Sequence, residues 1–440
     1  MQREIQVNER PGFGPGLLLS LQHLFAMFGS TVLVPNLFGV DPSVILLMNG
    51  IGTLLYILIC KGKIPAYLGS SFAFLGPVGV VLAWSGDHMD NYSKALGAFI
   101  VIGIVFVLVA LLVKVAGTAW IDFLFPPVVM GCVVALIGLE LLPVAADLAG
   151  LLGKADPTTG AVVYSTNAIL ISVITLSVTV LGAVLFRGFP KIIHILIGIA
   201  VGYIAAYLLG EVNTAAVAEA RFLSWPDFTT PSWDIAAILT ILPAALVVIV
   251  EHVGHLLVTS NIVGKDLSKD PGLHRSLMGN GISTILSGFV GSTPNTTYGE
   301  NIGVMALTRV YSVFVVGGAA VIAILLSFSG TFSSAIANIP GPVMGGVSLL
   351  LFGVIAVSGL RILVEQKVDF SKSVNMLLAA LILGVGLSGI TLTIGSVTLK
   401  GMALATIVGI VVNIIFRLIV LTGLSNEKDD IQPETKTPDL

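Results

Sequence analysis

Four ionisable side chains stand out because they lie in or beside stretches that are otherwise apolar. Glu251, His252 and His255 occur in one stretch, and Glu300 ends a segment rich in glycine and hydroxyl residues. Residues 251 and 255 are four apart, so a helix would place both side chains on one face, with His252 turned about 100° away. Ionised carboxylates only accept hydrogen bonds, so Glu251 and Glu300 suit a ligand with N–H donors.

The composition places these groups in a membrane protein. Of the 440 residues, 56% are hydrophobic and 10% are charged, whereas a soluble domain carries about 25% charged residues. Apolar runs such as Ala95–Val113 and Tyr311–Phe328 recur along the chain, and with their flanks they can cross a hydrocarbon layer of ~30 Å. A carboxylate at the bilayer centre costs about 2.5–3.5 kcal/mol. We therefore interpret Glu251, His255 and Glu300 as functional groups.

Polar breaks divide the chain into about fourteen apolar segments. Those centred near residues 76, 285 and 301 are too short or too polar for ordinary spans. If the N-terminus is cytoplasmic, 17 of the 21 Lys and Arg residues fall on the inside, and the outside keeps Lys94, Lys154, Arg221 and Lys400. This asymmetry predicts fourteen spans with both termini in the cytoplasm. The N-terminal stretch shows no cleavable signal pattern, and Cys60 and Cys132 lie in apolar segments that disfavour a disulfide framework.

Three landmarks occur twice in the same order, at offsets of 229, 222 and 214 residues. They are Gln22-His23 with Glu251-His252, Gly69-Ser70-Ser71 with Gly291-Ser292-Thr293, and Pro126–Gly131 with Pro340–Gly345. Halves with an odd number of spans must be inverted relative to each other, an arrangement that places a transporter's substrate site near the midplane. We predict an all-α membrane protein of two inverted seven-span repeats, 1–215 and 235–423, with a disordered cytoplasmic tail over 424–440.

The segments Gly69–Pro77 and Gly291–Glu300 occupy equivalent repeat positions and combine glycine, proline and hydroxyl residues. Non-helical backbone at membrane depth is tolerated where it is buried in protein or lines a cavity. The half-helices that follow would point N–H groups at a central site, where they can donate to ligand carbonyls. Gly and Ser also permit close helix packing, but a matched pair favours a site. We therefore predict that both segments are broken helices that carry short extended stretches.

A flat ring would also find an aromatic face in these segments, which contain Phe72, Phe74 and Tyr298. A neutral cyclic imide such as uracil offers N–H donors, carbonyls and a flat ring; small amides or a cation would also fit the carboxylates. Glu140 lies near the predicted outer boundary and is interpreted as interfacial.

Four motifs carry a resemblance to a known family. They are Ser20–Phe28, Lys61–Phe72, Glu251–His255 and Gly291–Gly303. Over nearly its full length the chain resembles the nucleobase–ascorbate (nucleobase:cation symporter-2) family, most closely its bacterial uracil-transporting branch. The resemblance implies that spans 1–4 and 8–11 form a substrate-carrying core, and that spans 5–7 and 12–14 form a gate that also dimerises. An elevator-like movement of core against gate is implied.

The resemblance also implies the roles of the site residues. Glu251 and Glu300 would accept hydrogen bonds from the uracil N–H groups, and the backbone at Phe72 and Gly299 would meet its carbonyls. Phe72 and Tyr298 would supply aromatic contact. A carboxylate at Glu300, where purine-selective members usually carry an amide, favours a pyrimidine.

Further roles concern proton coupling and support of the site. Ser71 is included among the substrate-binding residues, and Glu251 with His255 would couple transport to the proton. Gln22, His23 and His252 are interpreted as structural support. Phe352 stands where close relatives carry tyrosine.

The resulting prediction is import of uracil by proton symport across a bacterial inner membrane. The predicted partners are uracil or a similar nucleobase, membrane lipid and a second copy of the chain; no nucleic acid, metal, catalytic residue or cofactor other than the proton is expected. A sodium-coupled or purine (xanthine or urate) symporter and an anion carrier of the same architecture remain alternatives. A membrane enzyme would need a metal-ligand cluster or a nucleophile–base arrangement, and the sequence offers neither; a channel is disfavoured by the inverted halves.

Overall fold

The computed structural model describes residues 4–155 and 161–424. Within them the chain is mostly helical, with three short two-stranded antiparallel sheets. The tail predicted to be disordered, 424–440, lies outside the described residues except for Leu424.

The elements before residue 211 include the predicted first broken segment. The helices are α1 (Phe13–Ala26), α2 (Phe28–Phe38), α3 (Pro42–Ile59), α4 (Leu75–Leu82), α5 (His88–Ala116), α6 (Ala119–Leu124), α7 (Pro127–Leu148), α8 (Thr166–Leu185), α9 (Phe189–Ile192) and α10 (His194–Leu208). The strands are β1 (Leu68–Ser70), β2 (Lys154–Ala155) and β3 (Val162–Val163), and a 3-10 turn covers Phe72–Phe74. Asp41 and Asp87 cap α3 and α5, because their carboxylates accept hydrogen bonds from the first free N–H groups of each helix.

The second part of the chain also contains both long and short helices. Its helices are α11 (Thr214–Glu219), α12 (Ile235–Ile241), α13 (Pro243–Val263), α14 (Leu273–Val290), α15 (Gly299–Thr308), α16 (Val313–Ser327), α17 (Gly330–Ala337), α18 (Gly341–Glu365), α19 (Ser373–Leu387) and α20 (Gly401–Leu421). The strands are β4 (Asn295–Thr297), β5 (Thr391–Ile394) and β6 (Val397–Lys400), and a π-type turn covers Ser268–Gly272.

Eight helical stretches in the described residues are long and apolar enough to cross a membrane, and α16 with α17, bent by 90°, would make a ninth. The chain is therefore a multi-pass membrane protein. The segment centres predicted from the sequence all fall within helices, although several of these helices are short or polar; the centres lie near residues 26, 51, 76, 104, 133, 177, 200, 247, 285, 301, 319, 349, 382 and 410. The centres near 76, 285 and 301 fall in α4, α14 and α15, which are not among the eight. Helix length and apolarity thus support eight or nine spans directly.

The two segments predicted to be broken do contain extended backbone, and they pair with each other. Strands β1 and β4 are antiparallel, with Leu68 opposite Thr297, Gly69 opposite Thr296 and Ser70 opposite Asn295. All six of these residues are buried. Mutual pairing satisfies one edge of each strand, and the amides of Leu68 and Asn295 donate to the hydroxyls of Thr53 and Thr284. Satisfied backbone groups are the condition for non-helical chain at membrane depth.

The long helices pack in two groups. In the first group, α14 packs on α5, and α16 packs on both α1 and α3. In the second group, α18 packs on α7 and α8, α10 packs on α8, and α19 packs on α7 and α20. Helix α13 contacts both groups through α14, α15, α7 and α20. Each group therefore combines helices from both ends of the sequence, and α13 lies on the boundary between the groups.

Candidate functional site

The predicted site residues lie around the β1–β4 crossing. The hydroxyls of Ser70 and Thr293 are 2.6 Å apart, and the Tyr298 hydroxyl donates to the Ser70 carbonyl oxygen at 2.5 Å. Gly69 permits this arrangement, because a Cβ atom there would overlap the Tyr298 ring. Tyr298 is only 3% exposed, so its ring is a fixed wall of the crossing.

Each strand is followed by a short helix that begins at the crossing. The Ser71 amide donates to the Pro294 carbonyl oxygen at 3.0 Å, and the Ser71 hydroxyl accepts from the Ala73 amide at 3.4 Å. Phe72 begins the 3-10 turn before α4, and Gly299 begins α15. The first N–H groups of a helix have no acceptor within it. The amides of Phe72 and Gly299 are therefore placed to donate to a ligand.

Glu251 and His255 of α13 both face β4. The Thr296 hydroxyl donates to Glu251 Oε2 at 3.4 Å, and His255 Nδ1 lies 3.1 Å from Thr297 Oγ1. The four-residue spacing thus puts both side chains on one helix face. Each side chain bonds to its own threonine, and consecutive threonines of one strand hold the two groups side by side.

Glu300 completes the cluster from the first turn of α15. Helix α15 packs against α13, the helix that contains Glu251. A Cβ atom on Gly299 would lie 3.3 Å from His255 Nε2, so the start of α15 adjoins the imidazole ring. Glu251, His255, Gly299 and Glu300 all keep part of their surface accessible, whereas His252 is fully buried. Two acceptors, one imidazole and backbone donors therefore converge at one place.

The aromatic residues of the broken segments divide between two environments. The rings of Phe72 and Phe352 meet edge to face with centroids 5.8 Å apart, which joins the crossing to α18 of the second helix group. Phe74 instead packs against Phe99 of α5 at 6.2 Å, away from the carboxylates. Of the three aromatics that the sequence singled out, Phe72 and Tyr298 border the crossing.

The residues predicted to support the site are buried. Asn301 Nδ2 donates to the Nδ1 atom and the carbonyl oxygen of His23, at 3.0 and 2.9 Å. His252 Nε2 lies 2.7 Å from the Ser276 hydroxyl, which in turn lies 2.6 Å from the Tyr56 hydroxyl. These contacts join α1 to α15 and α13 to α14 and α3. Within the described chain, the buried Gln22 Oε1 atom has no hydrogen-bond partner.

Sequence reasoning missed three residues that hold the site together. Thr296 and Thr297 bond to Glu251 and His255, and Asn301 bonds to His23. All three lie in the motif Gly291–Gly303, and the two threonines are consecutive residues of β4. The sequence does show two consecutive threonines shortly before the intramembrane carboxylate Glu300. That pattern could have marked them as site residues, but it does not reveal which helix their side chains face.

Two surface cavities lie elsewhere. One of about 580 Å³ is lined in part by Asp41 and Trp225, and one of about 390 Å³ by Lys63 and Asp270. Neither is lined by Glu251, Glu300 or His255. Among the described residues, no group of three or more His, Cys, Asp or Glu is arranged to hold a metal ion.

Comparison with known proteins assigns the chain to a family. The model of the Xan_ur_permease family, described as a permease family, matches residues 15–395. The chain belongs to this permease family. The resemblance to the nucleobase:cation symporter-2 group is thereby confirmed, and so is the prediction of a transporter rather than an enzyme.

The relatives are similar over nearly their whole length. The uracil permease of Escherichia coli (strain K12) is 60% identical over 418 residues, 95% of each chain. The uracil permease of Bacillus subtilis (strain 168) is 47% identical over 404 residues, 90% of this chain and 91% of that one.

Two solved structures share the fold at low identity. The transmembrane domain of the cyanobacterial bicarbonate transporter BicA has a TM-score of 0.62 at 14% identity, and covers 93% of this chain and 99% of that domain. The inward-facing murine anion transporter Slc26a9 has a TM-score of 0.69 at 11% identity, with 94% and 69% coverage. These likenesses concern the fold alone.

Proposed function

We propose that this permease imports uracil together with a proton. The observation that carries the proposal is the convergence of Glu251 and Glu300 with the amides of Phe72 and Gly299 at the β1–β4 crossing. The relatives named uracil permeases, at 60% and 47% identity, support the same substrate.

The binding mode follows from the donors and acceptors of the site. Glu251 and Glu300 accept hydrogen bonds from the uracil N–H groups, and the Phe72 and Gly299 amides donate to its carbonyls. Phe72 and Tyr298 border the ring, while Ser71 fixes the backbone before Phe72. Two adjacent carboxyl groups would repel an anion, so the site disfavours the anion-carrier alternative.

Proton coupling follows from the cost of moving charge. An ionised carboxylate is costly to carry past an apolar surface, because desolvation penalises the charged form. A proton taken from the outside neutralises Glu251, and uracil then satisfies its hydrogen bonds. His255, held by Thr297, adjusts the local charge, so that Glu251 and His255 titrate as a coupled pair. Rewetting at the inner side releases both cargoes.

The architecture that supports this cycle is two inverted seven-span repeats over 1–215 and 235–423. The two packing groups agree with a substrate-carrying core of spans 1–4 and 8–11 and a gate of spans 5–7 and 12–14. In this proposal the core moves against the gate in an elevator-like cycle. The gate also joins two copies of the chain in the bacterial inner membrane, with all termini in the cytoplasm.

Uptake by proteoliposomes tests the function directly. Radiolabelled uracil is offered under an inward pH gradient, with sodium present or replaced by choline. The expected result is uphill uptake without sodium that excess unlabelled uracil blocks and xanthine does not. Uptake that requires sodium would contradict the coupling ion, and uptake of xanthine alone would contradict the substrate.

A further inference from the structure

Glu140 has no role in the uracil binding or proton coupling proposed for this protein. The sequence interprets it as interfacial; in the structure it is half-buried, and its carboxylate lies beside α4 and the start of α20. Glu140 Oε2 accepts a hydrogen bond from the Met402 amide at 2.7 Å, which fixes the C-terminal part of α7 to the start of α20. Two glycines make room for it: a Cβ atom on Gly401 would overlap the carboxylate, and one on Gly76 would lie 3.1 Å from Oε1.

Gly76 gives this contact its significance, because its helix α4 packs against α5 of the first helix group and also touches α7 and α20 of the second. Helix α4, which contains Gly76, directly follows the 3-10 turn that begins with the proposed uracil-binding residue Phe72. Helices α7 and α20 belong to the second group. The Glu140 carboxylate is therefore lodged between the proposed gate and the first turn of a helix that moves with the substrate.

A second contact crosses the same boundary nearby. Strand β6 leads directly into α20, and it packs against both α4 and α12. The Thr398 amide of β6 points to the hydroxyl of Thr240 at 3.5 Å, and Thr240 is only 1% exposed. Its partner β5 lies on the exposed side of the hairpin. The predicted orientation puts this hairpin, with Lys400 at its end, on the outer side of the membrane.

We propose that Glu140 and the β5–β6 hairpin form an outer clasp, in which Glu140 meets Gly76 and Thr398 meets Thr240. The clasp closes the outer path to the site and opens once in each transport cycle. It rests on the proposed core-and-gate movement, and it adds a positioning residue and a moving element to that scheme. The clasp consists of the contact between Glu140 and Gly76 and of one long hydrogen bond between Thr398 and Thr240. Neither contact is an ion pair, so the clasp can open without separating buried opposite charges.

A reversible cross-link tests the clasp. Thr240→Cys and Thr398→Cys are combined, and each single variant serves as a control under the same oxidant; the native cysteines Cys60 and Cys132 are buried. Oxidation should form the disulfide and lower uracil uptake at least about tenfold, and a reductant should restore uptake. Full uptake by the cross-linked protein would overturn the clasp.

The yield of the disulfide tests the clasp independently of the proposed transport of uracil. The yield is measured in membranes without substrate, so it reports the contact even if uracil is not the cargo. Gly76→Ala adds an independent test. Its maximal uptake rate should be about threefold lower, because the added methyl group hinders closure of the clasp. The KM should change little, because the uracil site is intact. Gly79→Ala, in the same helix with no atom within 4 Å of the added methyl group, is the matched control. Equal rates for both variants would contradict a role for the Gly76–Glu140 contact.

Discussion

His255 Nδ1 lies 3.1 Å from Thr297 Oγ1, and this contact ties helix α13 to strand β4. Since β4 pairs with β1, the imidazole is connected to both broken segments at once. The neighbouring residue of the strand, Thr296, does the same for Glu251. Glu251 and His255 of α13 and the backbone donors of the half-helices are thus held by one short sheet.

Replacement of Glu251 by Gln should abolish uphill accumulation while exchange continues. The amide keeps a carbonyl oxygen for a uracil N–H group but takes up no proton. Uracil accumulation under a pH gradient should fall at least about tenfold, whereas counterflow of labelled uracil between loaded vesicles should persist. Glu365→Gln on the exposed end of α18 is the control. Retained accumulation by Glu251→Gln would refute its role as proton carrier.

Thr297→Val should weaken uracil binding without unfolding the protein. Valine has nearly the shape of threonine but lacks the hydroxyl that holds His255, and a hydrogen bond contributes about 0.5–1.5 kcal/mol net. The dissociation constant should rise about twofold to tenfold, as measured by calorimetric titration. Thr308→Val, the control, removes a bond to the Val304 carbonyl oxygen and one from the Val310 amide, both at the far end of α15. If both variants bind uracil equally well, the Thr297–His255 contact has no part in the site.

Gly69→Ala should disrupt the crossing, since the methyl group would overlap the Tyr298 ring. Either β1 or the phenol ring of Tyr298 must shift. The shift should weaken uracil binding and lower the free energy of unfolding by about 1–3 kcal/mol. Uracil binding and thermal unfolding in detergent measure the two effects. Gly79→Ala should behave as wild type in both assays. Undiminished binding by Gly69→Ala would show that Tyr298 can move freely, contrary to its fixed position here.

Asn301→Leu should lower stability more than it changes transport chemistry. It removes both hydrogen bonds to His23 and leaves polar atoms of a residue that is 2% exposed without their partner. Such an orphaned group costs about 1–3 kcal/mol, which should appear as a lower Tm. Asn338→Leu, where the amide bonds only to Ser334 of α17, should lower Tm less. A larger loss at Asn338 would contradict the importance of the α1–α15 link.

Local pattern in the sequence was enough to find the segments and the conspicuous side chains. Apolar runs placed the helix centres, glycine and hydroxyl clusters marked the two extended segments, and the four-residue spacing put Glu251 and His255 on one face. These inferences succeed because they depend on periodicity and burial cost within one stretch of chain. The contacts of Glu140 could not be predicted in this way, because they are to α4 and α20, which are distant in sequence.

The tertiary structure decided everything that depends on partners across the fold. Tyr298 bonds to Ser70 across 228 residues, and Asn301 bonds to His23 across 278. The pairing of β1 with β4, the threonine that each ionisable side chain of α13 meets, and the two mixed helix groups arise from register and packing. Those are set by which surfaces fit together in three dimensions. The sequence by itself established a membrane transporter with buried carboxylates, and the packing decided what holds them and what must move.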